Sequence, residues 1–99
     1  MNSVLLVGRL IEKPLIKKAN SGTEYAIVNV EVPKLFKKSE DDVECYSAIC
    51  FGAVAKDTCD NLKANELVSL KGHLQLNAFE KDGETYYRNE IVAERIQSY

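Results

Sequence analysis

The 99-residue chain has no tryptophan and only one histidine, His73. Its three cysteines, Cys45, Cys50 and Cys59, are separated by four and eight residues, a spacing no common zinc site uses, and a lone histidine cannot complete a ligand set. An odd number of thiols also forms no closed disulfide framework, so reduced and buried cysteines in a cytoplasmic protein are expected. The chain lacks an apolar run of the roughly eighteen residues that a membrane helix needs. It also lacks the basic region and cleavage site of a signal peptide. No carboxylate pair stands out and no acid or histidine is placed to activate a thiol, which argues against an enzyme; no metal or cofactor is expected. Positive charge is also short. Thirteen Lys and Arg against fifteen Asp and Glu leave a net charge of −2, which weighs mildly against a polyanionic ligand.

What remains is an ordinary globular composition, 45% apolar and 28% charged, with no repeat, linker or low-complexity stretch. One domain over residues 1–99 is expected, large enough to hold a core without staples. The run from Glu44 to Gly52 alternates as a half-buried strand does, with Tyr46, Ala48 and Cys50 on one face and Cys45, Ser47, Ile49 and Phe51 on the other. Phe51 stands where the chain leaves that strand, so its ring either closes the end of a barrel or serves as a stacking surface for a base.

In chain order, Ser3 to Ile11 reads as a strand that is apolar on both faces. Val4, Leu6 and Leu10 lie with Gly8, while Leu5, Val7 and Ile11 lie with Arg9. Such a strand is either deep in the fold or docked on another subunit. Gly8 in mid-strand marks a bend or a close backbone approach. Glu12 to Glu24 is a connection with a turn at Asn20-Ser21-Gly22. Tyr25 to Val32 is a strand with Ala26, Val28, Val30 and Val32 inward, stopped by Pro33. Lys34 to Val43 is a charged loop with Phe36 set among Lys34, Lys37 and Lys38; a Phe there can also be an anchor onto the body of the fold. Ala53 to Ala64 is the one helical stretch, with Val54, Thr58 or Cys59, and Leu62 at helical spacing, and Asn65 suits a left-handed terminus. Leu67 to Leu76 is a strand with Val68, Leu70, Leu74 and Leu76 inward and Ser69, Lys71, His73 and Gln75 outward. Phe79 starts a loop turning at Asp82-Gly83, and Thr85 to Ile96 is the last strand. Five strands with a helix between the third and fourth is the plan of a five-stranded OB-fold barrel, an all-β architecture. That barrel serves several functions, so the plan alone does not choose among them.

Five segments in register carry a resemblance to the bacterial single-stranded DNA-binding proteins. Met1-Asn2-Ser3-Val4-Leu5-Leu6-Val7-Gly8-Arg9-Leu10 looks like that family's first strand, followed by Pro14 and the Ser21-Gly22 turn. Asn61-Leu62-Lys63-Ala64-Asn65-Glu66-Leu67-Val68 is similar to its helix exit, with Asn65 where the family commonly has glycine. Gly72-His73-Leu74-Gln75 and Glu90-Ile91-Val92-Ala93 resemble its last two strands. The resemblance implies bases stacked on Phe36, Phe51 and Phe79, which are all the phenylalanines of the chain. The candidates for phosphate contact are Arg9, Lys17, Lys34, Lys37, Lys38, Lys56, Lys71 and Arg88.

The implied function is non-enzymatic, largely sequence-independent binding of single-stranded DNA in replication, recombination or repair. The implied assembly is a homo-oligomer, a dimer of dimers, built through the first strand. Departures from the family are specific: a fourth aromatic position is Cys45, and usually basic positions are Ser3, Ser47, Ala53, Ala64 and Ala78. Fewer cations imply weaker binding and a shallower salt dependence. The family's linker and acidic tip are not found in these 99 residues, so recruitment of replication or repair proteins through a tail is not expected. The competing reading is a primosome-type accessory or protein-interaction module with weak nucleic-acid binding, motivated by the negative net charge.

Overall fold

A computed structural model describes residues 1–36 and 38–99. The elements in order are β1 (Val4–Leu10), β2 (Lys17–Lys18), β3 (Glu24–Pro33), β4 (Val43–Phe51), α1 (Gly52–Asn61), β5 (Leu67–Lys81) and β6 (Glu84–Ser98). The five long strands are hydrogen-bonded in the order β1-β5-β6-β4-β3, and β3 returns to β1 at Arg9 and Leu10, so they form a ring. Every pairing is antiparallel except β4–β6, which is parallel at Ala48–Ile91 and Ile49–Val92. Parallel neighbours need a crossover, and α1 with β5 supplies it. The helix therefore falls between the third and fourth long strands, as the OB-fold plan requires.

The ring is filled by one parity of each strand. Leu10, Ala26, Val28, Val30, Ala48, Cys50, Val68, Leu70, Ala93 and Ile96 are buried together, with Ala55, Cys59 and Leu62 from the helix and its exit. Close approach of two strands is needed where the ring closes, and Gly8 permits it. A Cβ on Gly8 would lie 2.3 Å from the backbone oxygen of Glu31. Gly72 plays the same part against Val92 beside a bulge in which Glu94 is the extra residue on β6. That bulge bends the β5–β6 pair.

The helix has no basic residue in its last turn. Lys13, from the β1–β2 connection, donates instead to the carbonyls of Cys59 at 2.7 Å and Leu62 at 3.3 Å. A cation at that end opposes the partial negative charge of the exposed carbonyls. The helix stops at Asn61, three residues before the expected Ala64, because Leu62 turns to extended backbone and drops its side chain into the core. Asn65 has the expected left-handed conformation, φ 67°. Its N–H donates to Leu10 at 2.8 Å, and its carbonyl accepts from Arg9 Nη1 at 2.8 Å.

Two expectations need correction at the far end of β5. Leu74 and Leu76 keep the inward parity but are exposed. The reason is length: β5 and β6 each run fifteen residues, while β1 stops pairing with β5 at Gly72. β4 pairs with β6 as far as Ile91, opposite Leu74, and past that point β5 and β6 pair only with each other and form an arm. Phe79 accordingly sits within β5, not in a loop. The turn itself is the tight Asp82-Gly83 pair, with φ 53° and 80°, as a type I′ hairpin demands. The 12–24 connection also contains the short β2, which pairs with the start of β3.

From Val4 to Gly8 the edge of β1 opposite β5 has no strand partner among the described residues, and Leu5 and Val7 are exposed on its outer face. Among the described residues no helix is long and apolar enough to cross a membrane.

Candidate nucleic-acid interface

The parity that does not fill the ring is displayed outward, and strand register arranges it in rows. On β3 and β4, Tyr25 faces Phe51, Ile27 faces Ile49, Asn29 faces Ser47 and Glu31 faces Cys45. The Ile27–Ile49 row continues to Val92 on β6 and His73 on β5. The same face then runs out along the arm through Gln75, Asn77 and Phe79 on β5, opposite Glu90, Arg88 and Tyr86 on β6. Phe51 and Phe79 thus belong to one continuous sheet face.

Phe51 is 44% exposed, so it does not plug the ring. It is the last residue of β4, and Gly52 behind it has φ 57°, which turns the chain sharply into α1. Lys17 on β2 faces Tyr25, which makes a row of Lys17, Tyr25 and Phe51 across three strands.

Phe79 is 41% exposed. Its ring is offset-stacked on Tyr86, with centroids 5.7 Å apart and planes inclined by 24°. The Arg88 guanidinium carbon lies 5.2 Å from the Phe79 centroid, within cation–π range. Lys81 and Asp82 complete the hollow around these three side chains.

Phe36 is 91% exposed, which removes the reading of it as an anchor. Its loop is tied across the base by the Lys34 N–H donating to the Asp42 carbonyl at 3.0 Å, and the Lys38 N–H donates to Asp42 Oδ2 at 2.8 Å. Lys34 and Lys38 flank the ring in sequence; Lys37 lies outside the described residues.

The remaining cations are placed differently. Arg9 is engaged with the Asn65 carbonyl. Lys56 is exposed on α1. Lys71 faces Leu5 and Arg95 and borders an apolar hollow with Leu6, Val7 and Leu70. Neither Lys56 nor Lys71 shares a strand row with a phenylalanine. Acids intervene on the outer face: Glu31 beside Cys45, Glu90 beside Gln75, and Glu94, whose Oε2 is 2.9 Å from His73 Nδ1. Asn29 donates to Glu12 at 3.1 Å and accepts from Ser47. Positive charge is therefore not spread as an unbroken track, and Arg88 over Phe79 is the cation shown against a ring among the described residues. Cys45 presents an exposed thiol, while its neighbour Tyr46, on the inner parity, donates to Glu44. That hydrogen bond, followed by burial and the carboxylate charge, raises the Tyr46 pKa above its ordinary value.

Two aromatics on this face, Tyr25 and Tyr86, were not singled out from the sequence. For Tyr86 the signal was available: counting outward from the Asp82-Gly83 turn sets residue 79 opposite residue 86. For Tyr25 the partner depends on the length of the β3–β4 loop, which sequence does not specify.

The chain matches the model of the single-strand binding protein family over residues 1–99. It is 32% identical to "Single-stranded DNA-binding protein 3" of Clostridium acetobutylicum, over 98% of this chain and 69% of that protein. It is 30% identical to "Single-stranded DNA-binding protein 2" of Streptococcus agalactiae, over 97% of this chain and 75% of that protein. With "Single-stranded DNA-binding protein 3" of Listeria innocua the identity is 31%, over 98% and 62% respectively. A ring of five strands with this helix placement, an open aromatic face and a match from end to end agree: the chain belongs to the single-strand binding protein family.

Proposed function

We propose that the protein binds single-stranded DNA without enzymatic chemistry and largely without regard to sequence. Bases stack on Phe36, Phe51 and Phe79, and phosphates are met chiefly by Lys17, Lys34, Lys38 and Arg88. The observation that carries this reading is the single outward face on which Phe51 and Phe79 both stand open, each with a cation in or beside its row. Stacking is indifferent to base identity because every base has a π-face, and it contributes roughly 1–3 kcal/mol per base. Capturing transiently unpaired template shifts the melting equilibrium by mass action, which suits replication, recombination or repair.

Assembly into a homo-oligomer through β1 is part of the proposal. The unpaired β1 edge can extend the sheet with a second copy, and exposed Leu5 and Val7 offer apolar area beside it. Several linked sites then engage one strand with gain in avidity.

Fluorescence anisotropy of labelled oligo-dT of increasing length, at low and moderate salt, tests this. Saturable binding that weakens with salt is expected, with a slope of about −0.7 per phosphate neutralised. A flat titration at low salt removes the proposal. The acidic residues between the cation clusters favour one second reading, an accessory protein-interaction module. Recovery of a replication partner in pull-down with flat anisotropy would select it.

A further inference from the structure

A hollow beside the Phe51 row carries polar groups that base stacking leaves unused. It is lined by Glu12, Pro14, Leu15, Lys17, Ile27 and Asn29, with a volume of about 230 Å³. A water's share of the liquid is about 30 Å³, so a ring system has room here. Ile27 lies two residues beyond Tyr25 on the same face of β3, and Lys17 faces Tyr25 from β2. The hollow therefore adjoins the row that ends on Phe51. Glu12 Oε1 accepts from Asn29 Nδ2 at 3.1 Å, and Asn29 Oδ1 accepts from Ser47. A carboxylate can only accept, so this chain fixes the Asn29 amide and holds Glu12 in place. Oε2 of Glu12 keeps no donor among the described residues. Lys13 also borders the hollow, but its ammonium is bound to the Cys59 and Leu62 carbonyls. Lys17 is left as the free cation of the lining among the described residues.

We propose that this hollow is a guanine subsite, in which Glu12 reads the base edge while Lys17 and the apolar walls hold it. The inference rests on the DNA-binding reading and adds one base preference to it. Unpaired bases offer their Watson–Crick edges for hydrogen bonding. On that edge guanine has two adjacent donors, N1–H and the N2 amine, followed by the O6 acceptor. The two donors match the two oxygens of Glu12 as a bidentate pair. The Lys17 ammonium has three donors, enough for O6 and an adjoining phosphate. Adenine and cytosine bring a single amine to the carboxylate, and thymine brings one N–H between two oxygens that the carboxylate repels. Glu12 also repels the phosphates of a strand whose bases make no use of it, so it favours dG at the expense of dT.

The test uses anisotropy with short oligomers of equal length: all dT, or dT with one central dG, dI or dA. A single guanine per strand avoids self-association of G-rich DNA. For the wild type, the dG oligomer is expected to bind roughly fivefold or more tightly than all dT. The dI base keeps N1–H and O6 but lacks the amine, so it is expected to lose most of that gain, and dA to show little. Glu12 is exposed, so Glu12→Ala should keep the fold, checked by its urea midpoint. That variant is expected to bind all dT at least as tightly as the wild type and to show no dG advantage. The dG-to-dI comparison is made on the wild type and stands whatever the variant does. Three outcomes overturn the inference and leave DNA binding standing: no gain from dG while all dT binds, dI binding as tightly as dG, or a dG gain that survives in Glu12→Ala. Absence of wild-type binding to all four oligomers removes both proposals together.

Discussion

The ring and the arm are built from the same strands and read alike as sequence, yet they use their side chains in opposite ways. In the ring, Val68 and Leu70 of β5 alternate with outward residues and are buried beneath the other strands and α1. At the margin of the ring Leu74, and in the arm Leu76, continue that alternation and are exposed. Both faces of the arm are therefore open, and the aromatics there become contact surface instead of core. Alternation reports which residues share a face. Whether that face is covered depends on how far neighbouring strands extend, a non-local property.

The sharpest way to break this contrast uses one residue type at two places on one strand. Leu70 is 2% exposed and Leu76 is 62% exposed. Leu70→Ala is expected to cost about 2–5 kcal/mol of stability. Leu76→Ala should stay within roughly 0.5 kcal/mol. Urea unfolding of both variants measures the difference; comparable losses would mean the arm is covered in solution by another surface.

Function should show the reverse dependence. Replacing Phe51 and Phe79 together with Ala is expected to weaken oligo-dT binding by around a hundredfold or more, from roughly 1–3 kcal/mol per lost platform. Both rings are half out of the core, so the unfolding midpoint should change little. A variant that loses binding and stability in parallel would place one of these rings in the packing after all.

Gly8 brings out the ring's own constraint. A methyl group there would enter the Glu31 carbonyl, so Gly8→Ala should cost about 1–3 kcal/mol as β1 is pushed from β3. Gly83 offers the comparison in the arm, where a Cβ meets open space and only the left-handed φ of 80° resists substitution. A smaller effect is expected at the helix end. Lys13→Met removes two hydrogen bonds to terminal carbonyls while keeping much of the aliphatic stem, a loss of about 1 kcal/mol.

Most of the ring was legible in the sequence because its cues are local. Period-two alternation marked β3 and β4, an apolar run on both faces marked β1, Asp82-Gly83 marked the hairpin, and Asn65 marked the left-handed exit from the helix. Gly8 was readable as a bend or a close approach, and the Glu31 carbonyl beside it selects the second. Parity set Phe51 with the outward residues but left open whether its ring closes the end of the barrel, and only its 44% exposure decides that. What escaped was set by tertiary extent: the length of the arm, the exposure of Leu74 and Leu76, and the strand setting of Phe79. The capture of Arg9 by the Asn65 carbonyl escaped for a related reason, because nothing local ties residues 9 and 65 together.

The thiols separate interior from face by chemistry. Cys45 is exposed on the outer face, whereas Cys50 and Cys59 are buried. Burial, reinforced by the neighbouring Cys59, pushes Cys50 from the ordinary 9.0 to about 11. Burial also raises Cys59, with Lys13 opposing the shift. A folded-state pKa above the unfolded one means that the native state favours the protonated thiol. That part of the stability is complete below about pH 9 and is lost as pH rises toward 11. At neutral pH, iodoacetamide should modify Cys45 alone, with Cys50 and Cys59 reacting only on unfolding. Because Cys45 shares the outer face with Phe51, its adduct should also weaken oligo-dT binding modestly, less than loss of either ring does. Mass spectrometry of the alkylated protein checks the selectivity, and rapid native-state modification of Cys50 would show that the ring opens far more readily than its packing implies.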